Sequence, residues 1–298
     1  ERGRAYRDYL EREGTALRDF ATFMVLDERF ASGEVERLSW RDWTDGLNDS
    51  RSAQVQKFRA EHAEEVDFHR YVQFELDRQL ASLAQTAKKC GMEIGLFGDL
   101  AIGTAPDGSD PWAFPELFLR EVSIGAPPDD LGPGGQNWGL PPMDPRALRE
   151  TGYGFWRRLL RNNLAHMGAL RIDHVMGLMR QFWIPEGFDG SAGAYVRFPA
   201  EDLFGILAQE SRRSGAIIVG EDLGTVPAGF RDLLQRYGVL STRVVQFERD
   251  WNGAFKPASS YPPNAYVVAG THDMAPLAGF ATGRDLAIRR QVGLIGDD

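Results

Sequence analysis

From Met92 onward, short apolar runs alternate with helical segments, and each run breaks off at a carboxylate, a histidine or a glycine. The runs are Ile94 to Leu100, Ala169 to Asp173, Ala216 to Gly220, Arg243 to Phe247 and Ala265 to Gly270. Strands separated by helices make βαβ units, and strands of a parallel sheet covered on both faces read as continuous apolar runs. An α/β fold with a parallel sheet is therefore expected. The run ends read Gly98-Asp99, Asp173-His174, Glu221-Asp222, Phe247-Glu248 and Thr271-His272-Asp273. Functional groups gather at the carboxyl ends of parallel strands, so these endings predict one shared rim.

Residues 1–90 have a different texture and are expected to form a helical subdomain. Between Ser52 and Lys89 there is neither Gly nor Pro, and Val72, Leu76, Leu80, Leu83 and Ala87 recur at steps of three and four. That spacing predicts one long amphipathic helix, or two joined ones, with these residues as its apolar stripe. Residues 91–298 then form the sheet-containing portion. Inside it, residues 105–145 are rich in Pro and Gly and read as an irregular active-site loop, because long structureless segments in compact domains are usually functional.

The chain is 298 residues long, carries 34 Lys+Arg against 43 Asp+Glu, a net charge of −9, and is 43% apolar. This balance fits a globular protein and argues against a nucleic-acid partner. No apolar run approaches the roughly 20 residues of a membrane-spanning helix, so no membrane partner is expected. The single cysteine, Cys90, excludes an internal disulfide and is expected as a small buried residue at a helix end. Glu1-Arg2-Gly3-Arg4 is charged with no apolar stretch after it, which predicts no secretory signal and a cytoplasmic location.

The strongest chemical signal is Leu170-Arg171-Ile172-Asp173-His174. Residues two apart on a strand share a face, so Arg171 can pair with an ionised Asp173, and an ionised aspartate is a nucleophile; a purely structural ion pair is the alternative. In Val219-Gly220-Glu221-Asp222-Leu223-Gly224, Glu221 follows an apolar run directly and emerges at the rim, while Asp222 reads as an N-cap for the next helix. Gly270-Thr271-His272-Asp273 ends a third strand. Three carboxylates at three strand ends, with an arginine and two histidines, suit glycosyl transfer through a covalent intermediate. A metal site built on Asp173, His174, His272 and Asp273 is the competing reading. The chain holds five histidines with no His-x-His and no cysteine pair, and no glycine-rich phosphate loop, so neither metal nor cofactor is expected.

Together with Ser123-Ile124-Gly125-Ala126-Pro127-Pro128-Asp129 and Gly135-Gln136-Asn137-Trp138-Gly139-Leu140-Pro141, these motifs resemble the 4-α-glucanotransferases (amylomaltases, glycoside hydrolase family 77). Their order and spacing match from about residue 92 to 280, and residues 1–90 resemble the helical insertion of such enzymes.

The resemblance implies a (β/α)8 TIM-type barrel, incomplete in this chain because five strand candidates cannot close eight. It implies transfer of an α-1,4-glucan segment to the 4-hydroxyl of another glucose or maltooligosaccharide by a retaining double displacement. Asp173 would be the nucleophile, Glu221 the acid/base and Asp273 the carboxylate that holds sugar hydroxyls. Asp99, Arg171 and His272 match supporting residues. Pro127-Pro128-Asp129 through Gly135 matches the family's mobile loop over the donor and acceptor sites, and Asp129 and Gln136 are candidates for substrate binding. Trp138 and Trp112 are candidates for stacking on glucose rings, with core packing as the other reading of each. An α-amylase-type hydrolase using water as acceptor and a non-catalytic glucan-binding fragment are the alternatives. Self-association through unpaired sheet edges is expected.

Overall fold

The computed structural model describes residues 1–31, 38–128, 134–272, 274–293 and 295–296. The described part of the first 90 residues is mainly helical. Helix α1 (Arg2–Ala31) is interrupted at Gly14, where φ is +58°. Helices α2 (Ala53–Glu61) and α3 (Ala63–Lys89) join at His62, and Ser52 caps α2 by accepting from the Val55 N–H at 3.0 Å. Glu64 and Glu65 open α3 and Lys88 and Lys89 close it, each charge matched to the helix dipole.

The expected stripe is mostly turned to solvent. Val72, Leu76 and Leu83 are exposed and Leu80 is half-buried; of the five only Ala87 is buried, while α3 also buries Val66 and Phe74 from outside the stripe. Helix periodicity finds an apolar face but does not say which side α1 occupies. Here α1 brings Tyr6 and Tyr9 against Tyr71 and Phe74, with ring centroids 5.3–5.6 Å apart in the Tyr6–Tyr71, Tyr6–Phe74 and Tyr9–Phe74 pairs. Cys90 follows α3 and is exposed rather than buried.

The elements that follow are β1 (Phe97–Leu100), α4 (Ser109–Ala113), β2 (Val122–Ala126), β3 (Gln136–Leu140), α5 (Pro145–Glu150), α6 (Gly154–Leu164) and β4 (Ala169–Ile172). Then come β5 (Arg180–Pro185), β6 (Ala194–Arg197), α7 (Ala200–Ser214), β7 (Ile217–Gly220) and α8 (Phe230–Arg236). Strands β8 (Val239–Val244) and β9 (Ala265–Val268) and helices α9 (Leu277–Ala281) and α10 (Arg284–Gln291) complete the order. Among the described residues no helix is long and apolar enough to cross a membrane.

Five strands form a parallel sheet in the order β1-β4-β7-β8-β9. All five apolar runs thus yield a strand, although the fourth lies earlier than its apolar signal, at Val239–Val244 rather than Arg243–Phe247. Its polar centre, Ser241-Thr242-Arg243, is buried and hides the strand from an apolarity count. Helices α6, α7 and α8 cover one face: Trp156, Leu160, Phe204, Leu207, Phe230 and Leu234 pack with Leu170, Ile172, Ile218 and Val239. The other face is only partly covered, since Phe97, Ile217 and Val267 are each more than 40% exposed. The sheet curls until Phe97 of β1 meets Tyr266 of β9 edge-to-face at 5.5 Å, yet these two edge strands are not hydrogen-bonded neighbours. The result is a mixed α/β fold with a curved, unclosed parallel sheet.

A second, antiparallel sheet in the order β3-β2-β5-β6 was not expected. Two of its strands lie within residues 105–145, so that segment is not one irregular loop. Proline and glycine mask them. A Cβ on Gly125 would lie 2.0 Å from the Gln136 carbonyl oxygen, so β2 and β3 approach this closely only because the residue is glycine.

Candidate active site

Strand register builds the site. Asp99 of β1 pairs with Arg171 of β4, and Ile172 pairs with Gly220 of β7. The residues one step further along these last two strands, Asp173 and Glu221, therefore emerge side by side. Glu221 N–H donates to the Ile172 carbonyl at 3.0 Å and Asp173 N–H to the Leu100 carbonyl at 2.9 Å, continuing the ladder past the strand ends. A Cβ on Gly220 would lie 2.7 Å from Val175 Cγ1, so glycine lets the end of β7 sit against the turn after Asp173.

Arg171 bridges two carboxylates. Its Nη1 donates to both oxygens of Asp99 at 2.7 and 2.9 Å, and its Nη2 donates to Asp173 Oδ1 at 2.7 Å. A planar guanidinium makes such forked, charge-assisted bonds with little rotational freedom left to either partner. The positive counter-charge that a cation would bring to these two carboxylates is already supplied by the protein. Among the described residues no group of three or more His, Cys, Asp or Glu is gathered as a metal site.

Glu221 has the opposite environment. It is 9% exposed, and its two oxygens accept backbone N–H bonds from His174 at 2.9 Å and Leu223 at 2.7 Å. Burial raises its pKa from the ordinary glutamate value; the Leu223 and His174 bonds pull down, Asp173 pushes up and Arg171 pulls down. One rim carboxyl is thus ion-paired to a guanidinium and its neighbour is buried.

His174 contributes a backbone donor to the site. Its φ of +43° is left-handed, an uncommon state for a residue with a side chain, and this turn points its N–H at Glu221 Oε2. Burial lowers the imidazole pKa, Arg180 adds to the fall and Asp173 opposes it. The ring meets Trp138 edge-on at 5.3 Å, and Trp138 Nε1 donates to Gln136 Oε1 at 3.0 Å. Strand β3 thereby brings Gln136, exposed, and Trp138, half-buried, to the rim.

The structure brings Asp99, Arg171, Asp173, Glu221, Gln136 and Trp138 into this one region. His272 follows β9 by four residues and is exposed. Asp129 and Asp273 lie outside the described residues. Trp112 is a correction: it is fully buried among Phe23, Trp40, Trp43 and Val55, with Nε1 donating to the Leu47 carbonyl at 3.0 Å. It is core and has no face free for a sugar. Asp222 caps no helix, since the next one begins at Phe230; it is fully buried and bound to β8.

Known proteins narrow this α/β class. The profile of the family described as 4-alpha-glucanotransferase, Glyco_hydro_77, matches residues 1–294, and the chain belongs to that family. A 4-alpha-glucanotransferase of Mycobacterium tuberculosis is 40% identical over 295 residues, 98% of this chain and 40% of the relative. One from Haemophilus influenzae is 39% identical over 300 residues, 100% of this chain and 43% of the relative. The crystal structure of amylomaltase from Corynebacterium glutamicum superposes with a TM-score of 0.86 at 34% identity, covering 100% of this chain and 40% of that one. Amylomaltase from Streptococcus agalactiae, solved with acarbose, shares the fold at 23% identity and a TM-score of 0.82, covering 99% of this chain and 61% of that one. The chain therefore spans less than half the length of the curated relatives named here.

Proposed function

We propose that these residues carry the catalytic centre of a 4-α-glucanotransferase that moves a segment of an α-1,4-glucan to the 4-hydroxyl of glucose or a maltooligosaccharide. The observation that carries this is the pairing of an Arg171-bound Asp173 with a buried Glu221 on adjacent strand ends. Family membership and the names of the relatives support the same reading. So does the acarbose complex of the Streptococcus agalactiae amylomaltase, in that an α-glucan-like ligand suits this fold.

In the first half-reaction Glu221 gives its proton to the glycosidic oxygen while Asp173 attacks the anomeric carbon. The bond from that carbon to the leaving oxygen breaks as the ester to Asp173 forms. Glu221, now ionised, then takes the proton of the acceptor 4-hydroxyl, whose oxygen attacks the same carbon from the opposite face and releases Asp173. Two inversions retain the α configuration. Asp99 and Arg171 keep Asp173 oriented, Asp273 and His272 hold sugar hydroxyls, Gln136 and Trp138 line the sugar site from β3, and Asp129 is a further candidate for sugar binding. Carboxylates suffice for both steps and no cofactor enters. In this reading residues 91–298 are part of a (β/α)8 barrel, residues 1–90 are a helical subdomain and the enzyme works in the cytoplasm.

The test is the product pattern from maltotriose, using a polypeptide that carries these residues at the full length of its relatives. A transferase gives glucose together with chains longer than maltotriose. Only glucose and maltose would identify a hydrolase with the same carboxylates and overturn the transfer reading.

A further inference from the structure

Asp222 follows Glu221 directly, and its carboxylate is fully buried. A buried charge is costly unless it is paired and hydrogen-bonded. This one is saturated. Oδ1 accepts the Thr242 N–H at 2.8 Å, and Oδ2 accepts from the Ser241 hydroxyl and Arg231 Nε, both at 2.9 Å, with Arg243 Nη1 at 3.5 Å. Arg243 Nη1 also donates to Ser241 Oγ at 2.5 Å and to the Thr242 carbonyl at 3.0 Å, which locks the donors in place.

The direction of these bonds matters. Everything that holds Asp222 comes from β8 and from Arg231 of α8, whereas Glu221 is held from the β4 side and, at Oε1, by the adjacent Leu223 N–H at 2.7 Å. Its N–H reaches Ile172, its carbonyl accepts from Val175 at 2.9 Å, and its side chain accepts from His174. The 221–222 dipeptide is therefore clamped between two neighbouring strands beyond the end of its own. Backbone pairing of β7 with β8 ends at Gly220–Ser241, so the Asp222 carboxylate supplies the attachment where the regular ladder has stopped.

We infer that Asp222 is a positioning residue for proton transfer by Glu221, fixing the acid/base against β8 so that its carboxyl meets the glycosidic oxygen. The inference rests on the acid/base role proposed above for Glu221. Displacements near 1 Å cost about 100-fold in rate, so loosening this clamp slows the step that needs the proton.

The experiment compares two donors in the full-length polypeptide. With α-maltosyl fluoride, Asp173 displaces fluoride, which departs as a stable anion with little need of a proton. With maltotriose the leaving sugar oxygen needs one. First-turnover fluoride release and first-turnover glucose release are measured for wild type, Glu221→Gln, Asp222→Asn and Arg231→Gln, the last removing a half-exposed member of the clamp.

Glu221→Gln sets the pattern of a lost acid, with a loss of about 100-fold or more on maltotriose and much less on the fluoride. Asp222→Asn should reproduce that selectivity, losing about 10- to 100-fold on maltotriose and about 3-fold or less on the fluoride. Arg231→Gln should show a smaller loss of the same kind, and decides the matter if Asp222→Asn does not fold. Equal losses on both donors would assign Asp222 to general folding or to Asp173, and no loss would make the clamp irrelevant; either overturns the inference. If Glu221→Gln is itself unselective, the acid/base assignment fails instead, and that result is separately visible.

Discussion

Glu221 shows how a single carboxyl is prepared by its surroundings. Its folded-state pKa is raised, chiefly by burial, so the folded chain holds a proton that the unfolded chain has already released at the same pH. Stability therefore falls as pH rises from the unfolded glutamate value through the raised folded one. Glu221→Gln removes that ionisation. The difference in Tm between variant and wild type should shift in the variant's favour as pH rises from about 4 to 7, on top of a constant offset for the altered N–H contacts. The same group predicts activity. The wild-type rate should decline on the alkaline side as Glu221 loses its proton, and this limb should vanish in Glu221→Gln. Parallel Tm curves and an unchanged limb would remove Glu221 from the role.

At the scale of elements, legibility in the sequence followed how each segment hides its backbone. The runs that end near Asp173 and Glu221 were readable because parallel strands packed under helices are apolar, and those that end near Asp99 and His272 because each is a short apolar stretch that stops at polar residues. Strand β8 was misplaced because its buried polar residues are satisfied by Asp222, a partner nineteen or more residues away that no local pattern reveals. The antiparallel sheet went unseen because residues such as Gly125 and Pro185 look like loop. Trp138 and Trp112 look alike in sequence and differ completely in place. Trp138 reaches the rim through β3, while Trp112 of α4 joins the aromatic core of α1, Trp40 and Trp43. Trp112→Ala should therefore destabilise the fold by about 3–5 kcal/mol in denaturant unfolding. With folded protein at low temperature, its effect on maltotriose KM should be small; a large KM change with intact stability would return Trp112 to the sugar site.

At the scale of the whole molecule, the parallel sheet has two edges, β1 and β9, and an incompletely covered face with Phe97, Ile217 and Val267 exposed. Phe68, Leu76 and Leu83 add an exposed apolar face on α3. Unpaired strand edges and apolar patches of this kind favour association. The 298-residue chain alone should show a sedimentation mass that rises with concentration, and a strict monomer over the micromolar range would show that the edges are self-protected. If the proposed function holds, the same open face predicts that this chain alone turns maltotriose over at less than about 1% of the full-length rate, since catalytic groups need placement within about 0.5 Å.

The measurement that bears most directly on the proposed chemistry is capture of the covalent intermediate. In full-length Glu221→Gln, α-maltosyl fluoride should load the nucleophile while the missing base leaves it unable to pass the sugar on. Mass spectrometry of the digested protein should find one maltosyl group on the peptide containing Asp173, and Asp173→Asn in the same background should abolish it. A maltosyl group on any other residue, or fluoride release with no adduct at any time, would contradict the double displacement through Asp173.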